Sequence, residues 1–470
     1  MPEKVDVIII GAGSAGLAAL REVRKRTERV VVVNDGPYGT TCARVGCMPS
    51  KALIEAANAF HARRKHETFG IRGSDALTVD LPAVLRRVRE LRDRFVAGTL
   101  EATESLGGRS IAGRARLLGP NRVDVDGRVF EARRIIIATG SRPIVPAPWK
   151  ALGERVLTSD SVFEQASLSR RIGVVGLGAI GIEFAQALSR LGVEVTAFGQ
   201  DTRLAGLTDE KVTGVLRAVL EGEFAVHTGA AVELEAAGDG VAMRAGATNV
   251  VVDRVLVAIG RRPNVDDLGL ETLGLALDER GMPPFDPATT RIADLPVFIA
   301  GDANGYATLL HEAADEGHIA GQNAVADDVA CFRRRTPLGV VFSDPGVAFV
   351  GKRHDEIDPQ RRVVGEASFE RQGRARTAQR NQGLMRLYAA RDDARLLGAE
   401  MCVPAAEHMA HLLALAIGQG LTAQDLLRMP FYHPVLEEGL RTALRGLARK
   451  FDAVGSDLAS CEAYRAEALD

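Results

Sequence analysis

An α/β fold is predicted by three features of this 470-residue chain. A β-branched run, Val5-Asp-Val-Ile-Ile-Ile10, leads at once into Gly11-Ala-Gly13-Ser-Ala-Gly16 and a helix-forming segment. The arrangement recurs at Arg171-Ile-Gly-Val-Val175 followed by Gly176-Leu-Gly178-Ala-Ile-Gly181. From about Thr336 this alternation gives way to mixed strands and then long helices. Glycines in such loops permit a tight turn, let backbone N–H groups approach a pyrophosphate, and let helix and strand pack closely. Two loops in the right strand-and-helix setting imply two Rossmann-like dinucleotide-binding domains, or one and a decayed duplicate, followed by a C-terminal α+β domain.

Composition narrows the class. The length is enough for two to four domains, each with its own core. A formal net charge of -2 gives no electrostatic reason to expect nucleic acid or an anionic membrane as partner. Abundant glycine, 49 residues, suits many tight strand-to-helix turns. Five cysteines is an odd and low count, which argues against a secreted disulfide framework and for a reducing compartment, where disulfides are usually redox-active. Met1-Pro-Glu-Lys4 runs straight into a strand, leaving no room for a signal peptide. No apolar stretch approaches the ~20 residues needed to cross a bilayer. A soluble, cytoplasmic protein is expected.

In the first unit a helix is expected over 17–26 and a strand over 29–33. The strand end, where an acid usually meets the ribose hydroxyls, carries Asn34, with Asp35 one step later. Both are candidate nucleotide contacts. Mainly helices are expected over 53–102, with Arg63-Arg-Lys-His66 as a solvated face. Short alternations and the turn Asp126-Gly127 predict a small antiparallel hairpin region between 108 and 130. The apolar run before Ala138-Thr139-Gly140 reads as a buried strand that closes the first nucleotide domain.

Gly39-Thr-Thr-Cys42-Ala-Arg-Val-Gly-Cys47-Met-Pro-Ser-Lys51 holds two of the five cysteines. The helix-forming run after Lys51 puts Cys47 at or near a helix N-terminus. Unpaired N–H groups and a dipole of roughly half a positive charge favour a thiolate there, below the free thiol pKa of about 8.5. A reducible disulfide is one reading; two unrelated buried thiols, or half a zinc site, are the others. No second Cys/His pair at finger-like spacing completes four zinc ligands.

The second unit predicts a helix over 182–190 and a strand over 193–198. That strand ends at Gly199, and Gln200-Asp201-Thr202-Arg203 follows. An acid there would suit an NAD ribose and an arginine an NADP phosphate, so Arg203 leaves NAD and NADP both open. Val255-Leu-Val-Ala-Ile-Gly260 echoes the close of the first unit. Gly301-Asp302 stands at a strand end, where Asp302 would accept from a ribityl hydroxyl or serve as a turn residue.

Strands are expected over 338–342, 348–350 and 384–389, and a helix through Ala405 to Ala416. His408 and His411 lie on that helix without a third ligand, so no metal is assigned. In Tyr432-His433-Pro-Val-Leu-Glu-Glu438, Pro434 suits a first helical position and would hold His433 just outside the helix. Glu438 or Glu437 would orient its imidazole for proton exchange with a thiol.

Taken together, Cys42-x4-Cys47-x-Pro-Ser-Lys51, the paired glycine loops, Ala300-Gly301-Asp302, Leu310-His311-Glu-Ala and His433-Pro-x-x-x-Glu438 resemble the pyridine nucleotide-disulfide oxidoreductases, and within them the dihydrolipoamide dehydrogenase branch. The match reaches about Lys450. The resemblance implies FAD and NAD as cofactors, a homodimer, and a C-terminal dimerisation domain whose His433 serves the disulfide of the opposite subunit. It implies an FAD-binding domain at 1–148, an NAD(P)-binding domain at 149–268, a second FAD-binding or central part at 269–335 and an interface domain at 336–470. Cys47 would be the flavin-proximal thiolate, Cys42 the interchange thiol, and His433 its acid/base, oriented by Glu438. Lys51 would pair with Glu183 beside the flavin. His311 and Gly260 would join the nucleotide contacts. The implied reaction moves electrons between dihydrolipoyl groups, on a carrier protein or a small dithiol, and NAD+. The alternatives are an NAD(P)H-dependent reductase of another disulfide, metal ion or quinone, and a non-catalytic FAD redox sensor. Gly39-Thr40 and Ala43-Arg44 depart from the usual motif. Arg44 would stabilise a thiolate, favour an acidic substrate, or point to solvent. The tail has a single cysteine, Cys461, where mercuric reductases end in a pair.

Overall fold

The computed structural model describes residues 2–451 and residue 458. β-Branched residues fill the strand Glu3–Ile10, whose last four positions are buried. It sits inside a parallel sheet, with Val30–Asn34 and then Ser110–Ala112 on one side and Arg128–Ile137 on the other. Ile10 stands opposite both Val33 and Ile137, so the neighbouring strands end level and open one crevice at Gly11. Arg128–Ile137 serves two partners along one edge. Its first half continues an antiparallel meander with Arg122–Val125 and Ala115–Gly119, and its second half pairs in parallel with Val297–Ile299. Asp126 and Gly127 both take positive φ, 49° and 88°, as the expected two-residue hairpin turn requires.

The helix Ser14–Val23 lies against Leu310–Val325 with its backbone almost touching. A Cβ placed on Gly317 would come within 2.2 Å of the Ala15 carbonyl oxygen, and one on Gly321 within 2.6 Å of that of Ala19. Two glycines four apart on one helical face thus join the first and last parts of the first nucleotide unit.

In the second unit the parallel order is Ala225–Thr228, Glu194–Gly199, Arg171–Val175, Arg254–Val257, Val156–Leu157. A three-stranded antiparallel meander over 233–252 packs on it through Met243 and Val252. An antiparallel ribbon of Ser141–Pro143 and Arg261–Pro263 ties the two units together. The C-terminal part is a five-stranded antiparallel sheet in the order Leu338–Val341, Gly346–Gly351, Leu396–Val403, Leu384–Ala390, Arg362–Ser368. Helices Ala406–Gly418 and Glu438–Ala448 share its core, with Met409, Leu413, Leu440 and Leu444 buried against Leu387 and Met401.

Two local expectations need correcting. Arg63-Arg-Lys-His66 is only partly a solvated face, although none of its four residues is buried. It forms a 3-10 turn in which only Arg64 is exposed, Arg63 stacks on Phe60 and His66 Nδ1 lies 2.7 Å from Ser74 Oγ. Pro434 does not begin a helix. Its peptide bond with His433 is cis and the helix starts at Glu438, because the Glu438 carboxylate accepts from Val435 N–H (3.3 Å) and caps the turn before it. Among the described residues no helix is long and apolar enough to cross a membrane. Cys461 lies outside the described residues.

Candidate active site

Two short segments deliver the cysteine pair. Thr40 Oγ1 accepts from Ala43 N–H (3.2 Å) and caps the single turn Thr41–Arg44. Gly46 then lets the chain fold back over Thr41, whose carbonyl oxygen would be 3.0 Å from an added Cβ. Helix Cys47–His61 begins immediately. Both sulfurs are half-buried and unoxidised. The Cys42 thiol hydrogen-bonds to Cys47, which together with the Lys51 cation and the helix N-terminus holds Cys47 down at about 6 despite its burial. Cys42 moves the other way, well above the usual thiol range, because it is the proton donor in that pair and is itself buried. The pair therefore carries one proton and one charge, with the charge on Cys47.

One helical turn on, Lys51 Nζ donates to Glu183 Oε2 at 2.7 Å and lies 4.4 Å from the centre of the Phe342 ring. Glu183 Oε1 accepts from Phe342 N–H at 2.9 Å. This joins the cysteine helix, the helix Ala179–Arg190 of the second unit and the start of the C-terminal part. Three polar residues on that second helix, at i, i+3 and i+7, all turn to the same segment. Besides Glu183, Gln186 bonds both the N–H and the carbonyl of Asp344 (2.8 and 3.0 Å), and Arg190 reaches Asp344 Oδ2 (3.1 Å) and Asn58 Oδ1 (2.6 Å). Sequence reasoning did not single out Phe342, Gln186, Arg190 or Asp344. The visible signal was a polar stripe at helical spacing in the otherwise apolar Ala179-Ile-Gly-Ile-Glu-Phe-Ala-Gln-Ala-Leu-Ser-Arg190.

The two glycine loops share one steric pattern. A Cβ on Gly11 or Gly176 would strike the carbonyl oxygen of Ala138 (2.2 Å) or Ala258 (2.3 Å), and one on Gly16 or Gly181 would strike Gly11 (1.9 Å) or Gly176 (1.8 Å). Gly13 and Gly178 have nothing within 4 Å. The outer glycines are demanded by packing, whereas the middle one borders open space at a helix N-terminus, where a pyrophosphate fits. Thr139 Oγ1 is buried without a partner at the end of the central sheet, and Gly140 follows with φ of 69°. Asn34 is already engaged. Its Oδ1 accepts from Ala12 N–H and its Nδ2 donates to the Gly36 carbonyl, both at 3.0 Å, which fixes the loop and leaves the exposed Asp35 beside it.

Asp302 accepts from Ser141 Oγ–H (2.6 Å), and Ser141 accepts in turn from Arg261 Nε (2.8 Å), so this carboxylate also meets the ribbon between the two units. Gly301 N–H donates to the buried Glu316 (2.7 Å). His311 is half-exposed, 3.7 Å from Glu312. Gly260 has φ of 120°, and its carbonyl accepts from Ile144 N–H. The Arg203 guanidinium is taken by Asp355 at 3.1 Å. The Arg44 side chain does not simply point to solvent, since its Nε is buried without a partner.

His433 stands apart. Its Nδ1 is 3.0 and 3.2 Å from the two oxygens of Glu438, and its side chain is 79% exposed. The imidazole holds Glu438 below the usual carboxylate range. Among the described residues no hydrogen bond or ion pair connects His433 with Cys42 or Cys47 in the same chain. On the neighbouring helix His411 Nδ1 lies 2.6 Å from the Glu407 carbonyl oxygen, and His408 is 3.6 Å from the Glu407 carboxylate.

Comparison with known proteins agrees with this geometry. Residues 5–317 match the pyridine nucleotide-disulphide oxidoreductase family, and residues 338–444 its dimerisation domain. The chain is 33% identical over 463 residues to a dihydrolipoyl dehydrogenase of Thermus scotoductus, covering 95% of this chain and 98% of that protein. It is 34% identical over 466 residues to dihydrolipoyl dehydrogenase 3 of Pseudomonas aeruginosa, covering 94% and 98%. Among solved structures, LpdA from Mycobacterium tuberculosis superimposes with a TM-score of 0.81 at 27% identity, over 94% of this chain and 99% of that one. The flavoprotein disulfide reductase RclA from Escherichia coli shares the fold, with a TM-score of 0.80 at 22% identity over 94% and 99%. The chain belongs to the pyridine nucleotide-disulphide oxidoreductase family, oxidoreductases that use FAD and NAD(P).

Proposed function

We propose that the protein is a dihydrolipoyl dehydrogenase, passing two electrons from a dihydrolipoyl dithiol to NAD+ through the Cys42–Cys47 pair. The observation that carries this reading is the placement of the pair: Cys47 opens the helix Cys47–His61 one turn before Lys51, which is itself paired with Glu183, an arrangement that favours the charge on Cys47 and the proton on Cys42. A substrate thiolate attacks the Cys42 sulfur of the disulfide and releases Cys47 as thiolate. The second substrate thiol then displaces Cys42, closing the substrate disulfide and leaving both electrons on the pair. His433 of the opposite subunit in a homodimer takes the substrate proton, oriented by Glu438. Lys51 balances the Cys47 charge, and Glu183 holds Lys51.

FAD, when bound, would supply the two-electron relay that links oxidation of the dithiol to hydride exchange with the nicotinamide. Gly11, Gly13, Gly16, Asp35, Thr139, Gly140, Gly301, Asp302 and His311 would hold it, in a domain of residues 1–148 completed by 269–335. Gly176, Gly178, Gly181 and Gly260 would hold the nicotinamide dinucleotide within 149–268. The Arg203–Asp355 pair is solvent-exposed, so Arg203 leaves NAD and NADP both open. Residues 336–470 would form the dimer interface.

The test is steady-state reduction of NAD+, and separately of NADP+, by dihydrolipoamide with the purified yellow protein. Strong NAD+-dependent turnover is expected. No turnover from a protein that retains FAD and reducible thiols would overturn the lipoyl assignment. Such a result would turn the assignment to an NAD(P)H-dependent reductase of another acceptor or a non-catalytic FAD redox sensor, which steady turnover with another disulfide would separate, with Arg44 beside the cysteine pair as the first residue to vary.

A further inference from the structure

The loop over 369–383 carries four arginines, Arg371, Arg374, Arg376 and Arg380, against one carboxylate, Glu370. All four are exposed on the single chain. Arg380 is paired with Asp344 at 3.3 Å, but among the described residues no carboxylate lies within ion-pair distance of Arg371, Arg374 or Arg376. Arg374 Nη1 donates only to Thr377 Oγ1 in its own turn (3.2 Å). Unpaired guanidiniums so close together repel one another, and a chain of net charge -2 has carboxylates elsewhere with which to neutralise them. Beside them is a surface depression of about 500 Å³ lined by Gly373, Arg376, Thr377, Gln379 and Asn381.

This loop is held against the His433 loop. Gln372 is buried, with its Oε1 accepting from Ala375 N–H (2.6 Å) and its Nε2 donating to the Val435 carbonyl (2.7 Å). Val435 is two residues from His433 and also donates to Glu438. Phe369, at the start of the loop, packs so tightly on Gly439 that a Cβ there would lie 2.3 Å from its ring. The arginine-bearing loop and the His433 loop are therefore joined by packing and by a hydrogen bond.

We propose that Arg371, Arg374 and Arg376 form a docking surface for the acidic face of a protein that presents the dithiol to His433. The proposal rests on the dihydrolipoyl reading above and adds to it the charge of the carrier. Three guanidiniums spread over six residues beside the imidazole are too dispersed for the single carboxylate of a small substrate, and suit a carboxylate-rich surface around a lipoyl group. Such rim charges act through long-range attraction, so their contribution appears in KM and in its salt dependence.

The test uses FAD-loaded enzyme, NAD+ and two substrates: free dihydrolipoamide, which is neutral, and a purified, reduced bacterial lipoyl domain of net negative charge. In the R371E/R374E/R376E variant KM for the domain should rise about tenfold more than KM for dihydrolipoamide. The wild-type KM for the domain should rise with salt, and this dependence should flatten in the variant. The milder Arg371→Gln/Arg376→Gln variant should shift KM in the same direction if the triple reversal fails to fold. Equal changes for both substrates, or a salt-independent KM in the wild type, would overturn the docking surface. Failure of the lipoyl reading itself shows separately, as absent wild-type turnover with dihydrolipoamide. Salt-sensitive binding of the domain to the oxidised enzyme, lost in the variant, would then still support the surface, and equal binding by both would overturn it.

Discussion

The two halves of the thiol chemistry are built in opposite ways. Around Cys47 the groups come from three parts of one chain and are mostly buried: the Glu183 side chain is 9% exposed, and the Arg190 behind it 3%. Around His433, among the described residues, the imidazole is paired with the Glu438 carboxylate, and most of it faces outward. In the proposed mechanism a single chain thus completes the electron-storing half, with the Lys51 cation already in place between Glu183 and the cysteine pair. It leaves the proton-transferring half unfinished, waiting for a surface that supplies a thiol. On the proposed mechanism the contrast teaches that charge placement is a matter of folding, whereas acid/base catalysis is a matter of assembly.

Breaking the buried half should cost most. Cys47→Ser removes the thiolate, and dithiol turnover should fall on the order of 10⁴-fold or more, read by NAD+ reduction. His433→Ala leaves the buried half intact and should lower kcat/KM by about 10²- to 10⁴-fold, the usual worth of a positioned general acid or base. The flavin spectrum and the Cys47 titration should be unchanged. Glu438→Gln should cost less, on the order of tenfold in kcat/KM, because the imidazole loses the carboxylate that orients it.

Lys51→Met sharpens the comparison without touching sulfur or imidazole. Removing the cation should raise the Cys47 pKa from about 6, and an ultraviolet thiolate titration of the reduced protein reads the shift. An unmoved titration would mean that Cys42 alone sets the charge. The smallest effect is on stability. In the reduced protein Cys47 releases its proton near pH 6 when folded and near about 8.5 when unfolded, so the unfolded state binds more protons between these values and stability rises with pH. This contribution is complete above the unfolded value and lost as pH falls through the folded one. The Tm difference between reduced and oxidised protein should grow in favour of the reduced form across that window, and a flat difference would contradict the thiolate assignment.

Much of the fold could be read from the sequence because its constraints are local. Gly11 and Gly16 are bound by packing within a few residues of a recognisable strand, and the Asp126-Gly127 turn lies between its own two strands. The helix start at Cys47 follows from Gly46 before it. The pairing of Lys51 with Glu183, 132 positions apart, came from family resemblance and not from spacing. Contacts made only by tertiary packing were invisible. The fully buried Glu400 accepts from Thr208 and Asp209 N–H groups at 2.7 and 3.0 Å, and no local pattern pairs positions 192 and 191 apart. The link from Gln372 to Val435 is of the same kind. Pro434 was misread because the helix-start rule does not anticipate a carboxylate four residues on that caps a cis turn.

The division between a self-sufficient buried half and an unfinished exposed half is tested most directly by mixing subunits. Each site of the proposed dimer combines the cysteine pair of one chain with His433 of the other, so a Cys42→Ser chain paired with a His433→Ala chain has one fully intact site. Equal mixing and reassociation of the two inactive variants should restore about a quarter of wild-type turnover, since half of the dimers are mixed and each has one working site. Activity that stays at the level of the separate variants, in mixtures shown to contain mixed dimers, would contradict the account.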